Sequence, residues 1–189
     1  QYTIAGINWT INNRDTNWGN NASSNGIDII SMSFGRARSP TGQDFGDNGS
    51  VAEARIVNDA FDAGIVPVCA MGNDAAQYVA APASADHCIA VAAANDLDSV
   101  DRSDDEVASY SNWGPRIPDG DSNDWDEHKP DVIAPGSGIK SAQHEPGGIF
   151  GGGALAGDSY IAQSGTSMST PMVAGLCALI IQANPAFRG

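Results

Sequence analysis

Ser167 stands at the start of a strongly apolar helical stretch, where a hydroxyl lies close to free backbone N–H groups and to the positive end of the helix dipole. An oxyanion forming there would be stabilised. Pro171 has no N–H to give the carbonyl four residues back, that of Ser167, so the first turn is expected to be distorted. For a lone serine in this place the ordinary reading is a helix cap. In an open parallel sheet, ligands bind beyond the carboxyl ends of the strands. Besides the Ser167 segment, two other places answer that description, Ser33-Phe34-Gly35 and Ala70-Met71-Gly72-Asn73. Taken alone, the first is a strand ending and Asn73 is a turn residue after a glycine.

The elements that must carry these residues follow from periodicity. Ile4, Ile7 and Ile11 recur at helical spacing and predict a helix over about 3–13. The β-branched run 27–34, closed by Gly35, predicts a buried strand. Ser50 and Glu53 have the spacing of a capping box ahead of a helix faced by Ala52, Ile56, Val57, Ala60 and Phe61, with Gly64 as its left-handed stop. Residues 65–70 follow as a strand, and strand, helix, strand at this spacing makes the two strands parallel neighbours. Further strands are expected at 88–93, 107–110 and 132–134, with an acidic insertion at 118–127 and a mobile glycine-rich loop at 147–157. The Gly151-x-Gly153 spacing lacks the strand and capped helix of a phosphate loop. The run 166–183 is apolar on nearly every side and is expected in the core.

The string Ser164-Gly-Thr-Ser-Met-Ser-Thr-Pro-Met-Val-Ala-Gly175 resembles the nucleophile segment of the subtilases, the subtilisin-like serine proteases. Met172 departs from it, standing where many members have a noncatalytic histidine. Residues 30–35 resemble the strand bordering the substrate cleft, and 70–73 the segment with the oxyanion asparagine. Lys129 to Gly136 is similar to the stretch ahead of the serine, and 1–11 to the helix before the cleft strand. The resemblance implies an α/β fold in three layers, with a mostly parallel central sheet, helices on both faces and a buried central helix starting at the nucleophile. It implies a serine endopeptidase with Ser167 as nucleophile, and Asn73 with the Ser167 N–H as oxyanion donors. Ser33, Phe34 and Gly35 would pair with an extended substrate, and with Ala70, Met71 and Gly72 they would line the pocket for the side chain before the scissile bond. A cis bond at Ala81–Pro82 is implied as well.

A serine hydroxyl needs a histidine to take its proton and a carboxylate to orient that histidine. The family's Asp-Ser/Thr-Gly and His-Gly-Thr segments do not occur in 1–189, and none of His87, His128 and His144 stands at a Gly-rich helix start. The first residue is Gln1, so the chain is expected to be the later part of a catalytic domain, inactive alone, whose missing part is its partner. The alternative is a noncatalytic subtilase-like domain that binds peptides or serves as a scaffold. An α/β-hydrolase esterase would need Gly-x-Ser-x-Gly at the nucleophile, which is absent.

Nine basic against 23 acidic residues give a net charge of −14, which repels nucleic acid and anionic membranes; protein or peptide as substrate is what the resemblance implies. No apolar run approaches the about eighteen residues of a membrane span. The chemistry implied needs no cofactor. Structural calcium is an open reading for Asp119, Asp121, Asn123 and Asp124, and for Asp96, Asp98 and Asp101, against solvated acidic loops. Cys69, Cys88 and Cys177 lie in apolar stretches and are expected to be buried free thiols, without zinc-ligand spacing. The three sequons, at Asn8, Asn21 and Asn48, stand against about 1.8 expected by chance from this composition and decide nothing. An extracellular location is implied by the resemblance alone.

Overall fold

A computed structural model describes residues 2–19, 26–40, 44–142 and 160–187. The expected loop at 147–157 lies outside the described residues. Helix α1 spans Tyr2–Asn12, strand β1 Ile29–Met32, helix α2 Ala52–Asp62, β2 Val66–Ala70 and β3 Ile89–Asn95. There follow β4 at Glu106–Val107, β5 at Val132–Pro135, β6 at Ile139–Ala142, β7 at Tyr160–Gln163, and α3 at Thr166–Ala183.

Strands β1, β2, β3 and β5 run parallel, with Ile29 opposite Val66, Val68 opposite Ile89 and Val91 opposite Val132. The short β4 joins the end of β3 antiparallel, so of the expected strand 107–110 only Val107 lies in a ladder. Side chains alternate across the sheet. Met32, Cys69, Ala90 and Ala92 face α1 and α2, packing with Ile7, Ala54, Val57 and Ala60. Val68, Val91 and Ala134 face α3 through Val173, with Ile29, Val66, Ala174 and Cys177 at the margin. The three layers expected are therefore present, with the sheet between α1 and α2 on one side and α3 on the other.

Two local expectations are corrected. The capping box does not form, because Ser50 Oγ donates to Asn48 Oδ1 at 2.7 Å and the N-cap of α2 is Val51, which has no side-chain acceptor. Nearer competition from an asparagine two residues back outbids the helix for that hydroxyl. Glu53 is left in the first turn, where its charge meets the helix dipole. The other end of α2 behaves as read: Gly64 takes φ +83°, and Ile65 N–H returns to the Ala60 carbonyl at 3.0 Å.

The second correction concerns α3. Its sheet-facing side buries Thr166, Ser169, Thr170 and Val173, whereas Leu176, Leu179 and Ile180 are 55%, 62% and 45% exposed. An all-round apolar pattern requires cover on both sides, and among the described residues only the sheet supplies it. Helix α3 is the one described helix long and apolar enough to cross a bilayer, at 18 residues and mean hydropathy 1.3, yet it packs across β1, β2, β3 and β5. The antiparallel pair β6–β7 was not anticipated, since Ile139 to Ala142 and Tyr160 to Gln163 lack a clear alternation in the sequence. Ala81–Pro82 is cis, as the resemblance implied, and so are Gly114–Pro115 and Lys129–Pro130. The three cysteines are free; Cys69 and Cys88 are buried, while Cys177 is only half-buried because it lies on the α3 flank.

Candidate active site

The carboxyl ends of β1 and β2 and the first turn of α3 meet at one cleft of about 280 Å³. Phe34, Gly35, Ala70, Met71, Gly72, Asn73 and Ser167 all line it. Ser33 joins them through hydrogen bonds. Its hydroxyl donates to the Ser167 carbonyl at 2.9 Å, and Ser167 Oγ donates to the Ser33 carbonyl at 3.2 Å. The first of these bonds has a cause in the sequence. Pro171 leaves the Ser167 carbonyl without its helical partner, and the Ser33 hydroxyl takes that place.

Thr166 was not singled out by sequence reasoning, although it is fully buried at the centre of the arrangement. Its N–H donates to Asn73 Oδ1 at 2.9 Å and its hydroxyl donates to the same oxygen at 3.1 Å. The Gly72 N–H in turn donates to Thr166 Oγ1 at 3.1 Å. Both donors fall on the oxygen of the Asn73 carboxamide, so its Nδ2 is the end left over. That amide has no protein partner among the described residues, and Asn73 is exposed on the cleft. Thr170 Oγ1 donates to the Thr166 carbonyl at 2.8 Å and holds the turn from below.

Phe34, Gly35 and Arg36 also line a second cavity of about 250 Å³, whose other wall includes Thr3, Glu53 and Pro82. The Arg36 guanidinium lies 5.7 Å from the centre of the Tyr78 ring and 3.7 Å from Asp44. Burial pushes the Tyr78 phenol above its ordinary pKa, so it stays neutral; its oxygen is within 3.2 Å of the Arg36 and Ala37 carbonyls. Backbone N–H groups of Ser39 and Gly46 hold the Asp44 carboxyl below the usual range.

The histidines lie elsewhere. His87 stacks on Phe61 at 4.7 Å and His128 tilts against Trp125 at 5.7 Å, while His144 is outside the described residues. Among the described residues no histidine lines the cleft.

The acidic insertion has a specific role that spacing did not reveal. Asp86, Asp119 and Asp126 bring carboxylate oxygens close enough together to hold a cation. The cation among them is the Arg116 guanidinium, which is fully buried, hydrogen-bonded to Asp86 and to Asp119 at 2.8 Å, and ion-paired without a hydrogen bond to Asp126 at 3.2 Å. It also donates to the Ser84 carbonyl at 2.6 Å. Burial alone would lower the Arg116 pKa, but Asp86, Asp126 and Asp119 outweigh it and hold the group above its ordinary value. Asp119 and Asp121 each spend a carboxylate oxygen on the backbone N–H two residues on. Asp96 and Asp101 do the same with Asp98 and Ser103. With Arg116 in place a divalent ion at this cluster would have to sit against a second positive centre.

The Subtilase family model, Peptidase_S8, matches residues 1–189. The chain belongs to the subtilase family. Among relatives of this subtilase, serine protease AprX of Bacillus subtilis is 34% identical over 186 residues, 96% of this chain and 38% of that protein. Subtilisin E of the same organism is 34% identical over 188 residues, 97% of this chain and 35% of that protein. A cold adapted subtilisin-like serine proteinase has the same fold at TM-score 0.59 and 27% identity, over 96% of this chain and 47% of that one. Sphericase matches at TM-score 0.63 and 27% identity, over 97% and 49%. The chain thus spans between about a third and a half of the length of these relatives.

Proposed function

We propose that residues 1–189 carry the nucleophile, the oxyanion site and the substrate-strand site of a serine endopeptidase. A base outside these residues takes the proton from Ser167 Oγ as that oxygen attacks the carbonyl of the scissile peptide. The resulting oxyanion is met by Asn73 Nδ2 and the Ser167 N–H. Collapse expels the amine with the proton returned to it and leaves an acyl group on Ser167, which water then hydrolyses. Ser33 to Gly35 pair with the extended substrate backbone, and the cleft formed with Ala70 to Gly72 takes the side chain before the cut. The triad histidine and aspartate belong to the remainder of the catalytic domain, so 1–189 alone has almost no activity.

The observation that supports this reading best is the orientation of Asn73. Two donors from Thr166 fall on its carboxamide oxygen, which leaves its amide unpaired in the same cleft as the Ser167 hydroxyl. A carboxamide that merely closed a turn would have no need of such a clamp. Protein or peptide substrates, a location outside the cell and independence of any cofactor in the chemistry follow from the same family likeness. Structural calcium at the 118–127 loop would have to compete with Arg116 and has no part in the reaction.

A fluorophosphonate probe applied to the protein with its whole catalytic domain should modify Ser167. A folded protein of that kind that resists modification would instead favour a peptide-binding scaffold. Asn73→Leu should lower kcat by about 10²- to 10³-fold with little change in KM, a scale known from the corresponding asparagine of subtilisin. Steady-state kinetics on one peptide substrate check this, and an unaltered kcat would remove Asn73 from the oxyanion site.

A further inference from the structure

We propose that Asn112 is the positioning residue for the oxyanion loop, acting on the segment that carries Asn73 rather than on substrate; this rests on the role given to Asn73 above. Asn112 is 1% exposed and lies between β4 and β5, far from Asn73 in the chain. Each of its polar side-chain atoms is bonded to the residues flanking Asn73. Nδ2 donates to the Met71 carbonyl at 3.1 Å and to Asp74 Oδ2 at 3.0 Å. Oδ1 accepts from the Asp74 N–H at 2.8 Å, and the Asn112 backbone N–H donates to the Gly72 carbonyl at 3.0 Å.

The clamp therefore grips Met71, Gly72 and Asp74 while Thr166 grips the Asn73 side chain. Gly72 shows how closely the two segments approach, for it has φ +100° and a Cβ there would lie 2.5 Å from Asn112 Nδ2. Oxyanion stabilisation depends on donor placement within a fraction of an ångström, and a misplacement of about 1 Å costs on the order of 10²-fold in rate. A residue that fixes the backbone on both sides of the donor controls that placement without touching the reacting atoms. The neighbouring bonds, Ala75 N–H to the Tyr110 carbonyl and Trp113 N–H to the Ala76 carbonyl, keep the two segments side by side, so Asn112 is held in register with its targets.

Charge makes the proposal testable in a way that simple loss of stability would not imitate. Asn112→Asp would bring a second carboxylate against that of Asp74. Two carboxylates at hydrogen-bonding distance cannot both ionise without repulsion, and they share one proton when the pH allows. At low pH the protonated member donates across the gap and the clamp closes. At high pH both are charged and the loop is pushed apart. In the protein with its whole catalytic domain, the ratio of N112D to wild-type kcat should therefore fall as pH rises, with KM within about threefold of wild type. Adding Asp74→Asn to that background supplies a carboxamide donor opposite the new carboxylate and should flatten the ratio. Asn112→Ala should lower kcat by about 10- to 100-fold at every pH.

If N112A does not accumulate as folded protein, N112D alone carries the test, read by turnover and by the rate of fluorophosphonate labelling. An N112D whose kcat ratio is constant with pH, or whose kcat equals that of wild type, overturns the proposal. A wild-type protein that hydrolyses peptides and labels at Ser167, with Asn112 variants lowered only in melting temperature, overturns it and leaves the protease reading standing. A wild-type protein that neither hydrolyses nor labels brings both down together.

Discussion

Replacing Ser167 by alanine in the protein with a complete catalytic domain should abolish peptide hydrolysis, with kcat falling by about 10⁶-fold, the scale known for the nucleophile of subtilisin. What remains would be the rate supported by the oxyanion donors and substrate binding alone. KM should change little, because the hydroxyl contributes its bond-making in the transition state rather than in the ground state. The fold should survive. Ser167 is half-buried and its hydroxyl makes one hydrogen bond, to the Ser33 carbonyl, while the helix start is held by Thr166, Thr170 and the Ser33 hydroxyl. Equal hydrolysis by wild type and S167A, measured on the same purified preparations, would place the activity elsewhere.

The second large effect is on stability. Arg116→Met should destabilise the folded protein by about 3 to 5 kcal/mol, the cost of leaving carboxylates without their buried partner. The value should fall toward the lower end, because Asp86 and Asp119 retain 29% and 22% of their side-chain exposure and can recruit water. Asp126, at 9%, has less recourse. The loss would also free the Ser84 carbonyl and the Asp119 carboxylate of the 118–127 segment, leaving the backbone N–H of residue 116 bonded to the Glu127 carbonyl at 3.0 Å. Denaturant unfolding of the two proteins checks it, and a difference below about 1 kcal/mol would mean that water already screens the cluster.

These two predictions mark the limits of what could be read from the chain. The 33–35 and 70–73 segments were legible as strand endings, through β-branched runs and glycine punctuation, and Ser167 as the start of an apolar helical stretch; their roles came from the family resemblance. The parallel pairing of β1 and β2 followed from strand, helix, strand spacing. Arg116 was not legible. Its burial depends on Asp86, thirty residues earlier, and on an insertion that looks like solvated charge. Asn112 carried no signal either, since its partners sit near position 72 and nothing in its own neighbourhood marks it. The Ser50–Glu53 box failed for a local reason, the competing Asn48 side chain. The outer face of α3 failed for a global one: hydrophobicity tells that a face seeks cover, not where the cover lies.

The thiols described with the fold have a practical bearing on how this protein opens. Burial drives the Cys69 sulfhydryl well above its usual pKa and raises that of Cys177, while the Cys69 side chain lowers that of Cys88; what separates the three is access, because Cys69 and Cys88 are 0% and 5% exposed and Cys177 sits part-way into water on the α3 flank. Alkylating reagents need the thiolate and a path to it. Cys177 should therefore be consumed first and the other two only when β2 and β3 part. Mass spectrometry of timed alkylation would then read two clocks from one sample, one for fluctuations at the helix and one for rupture of the sheet.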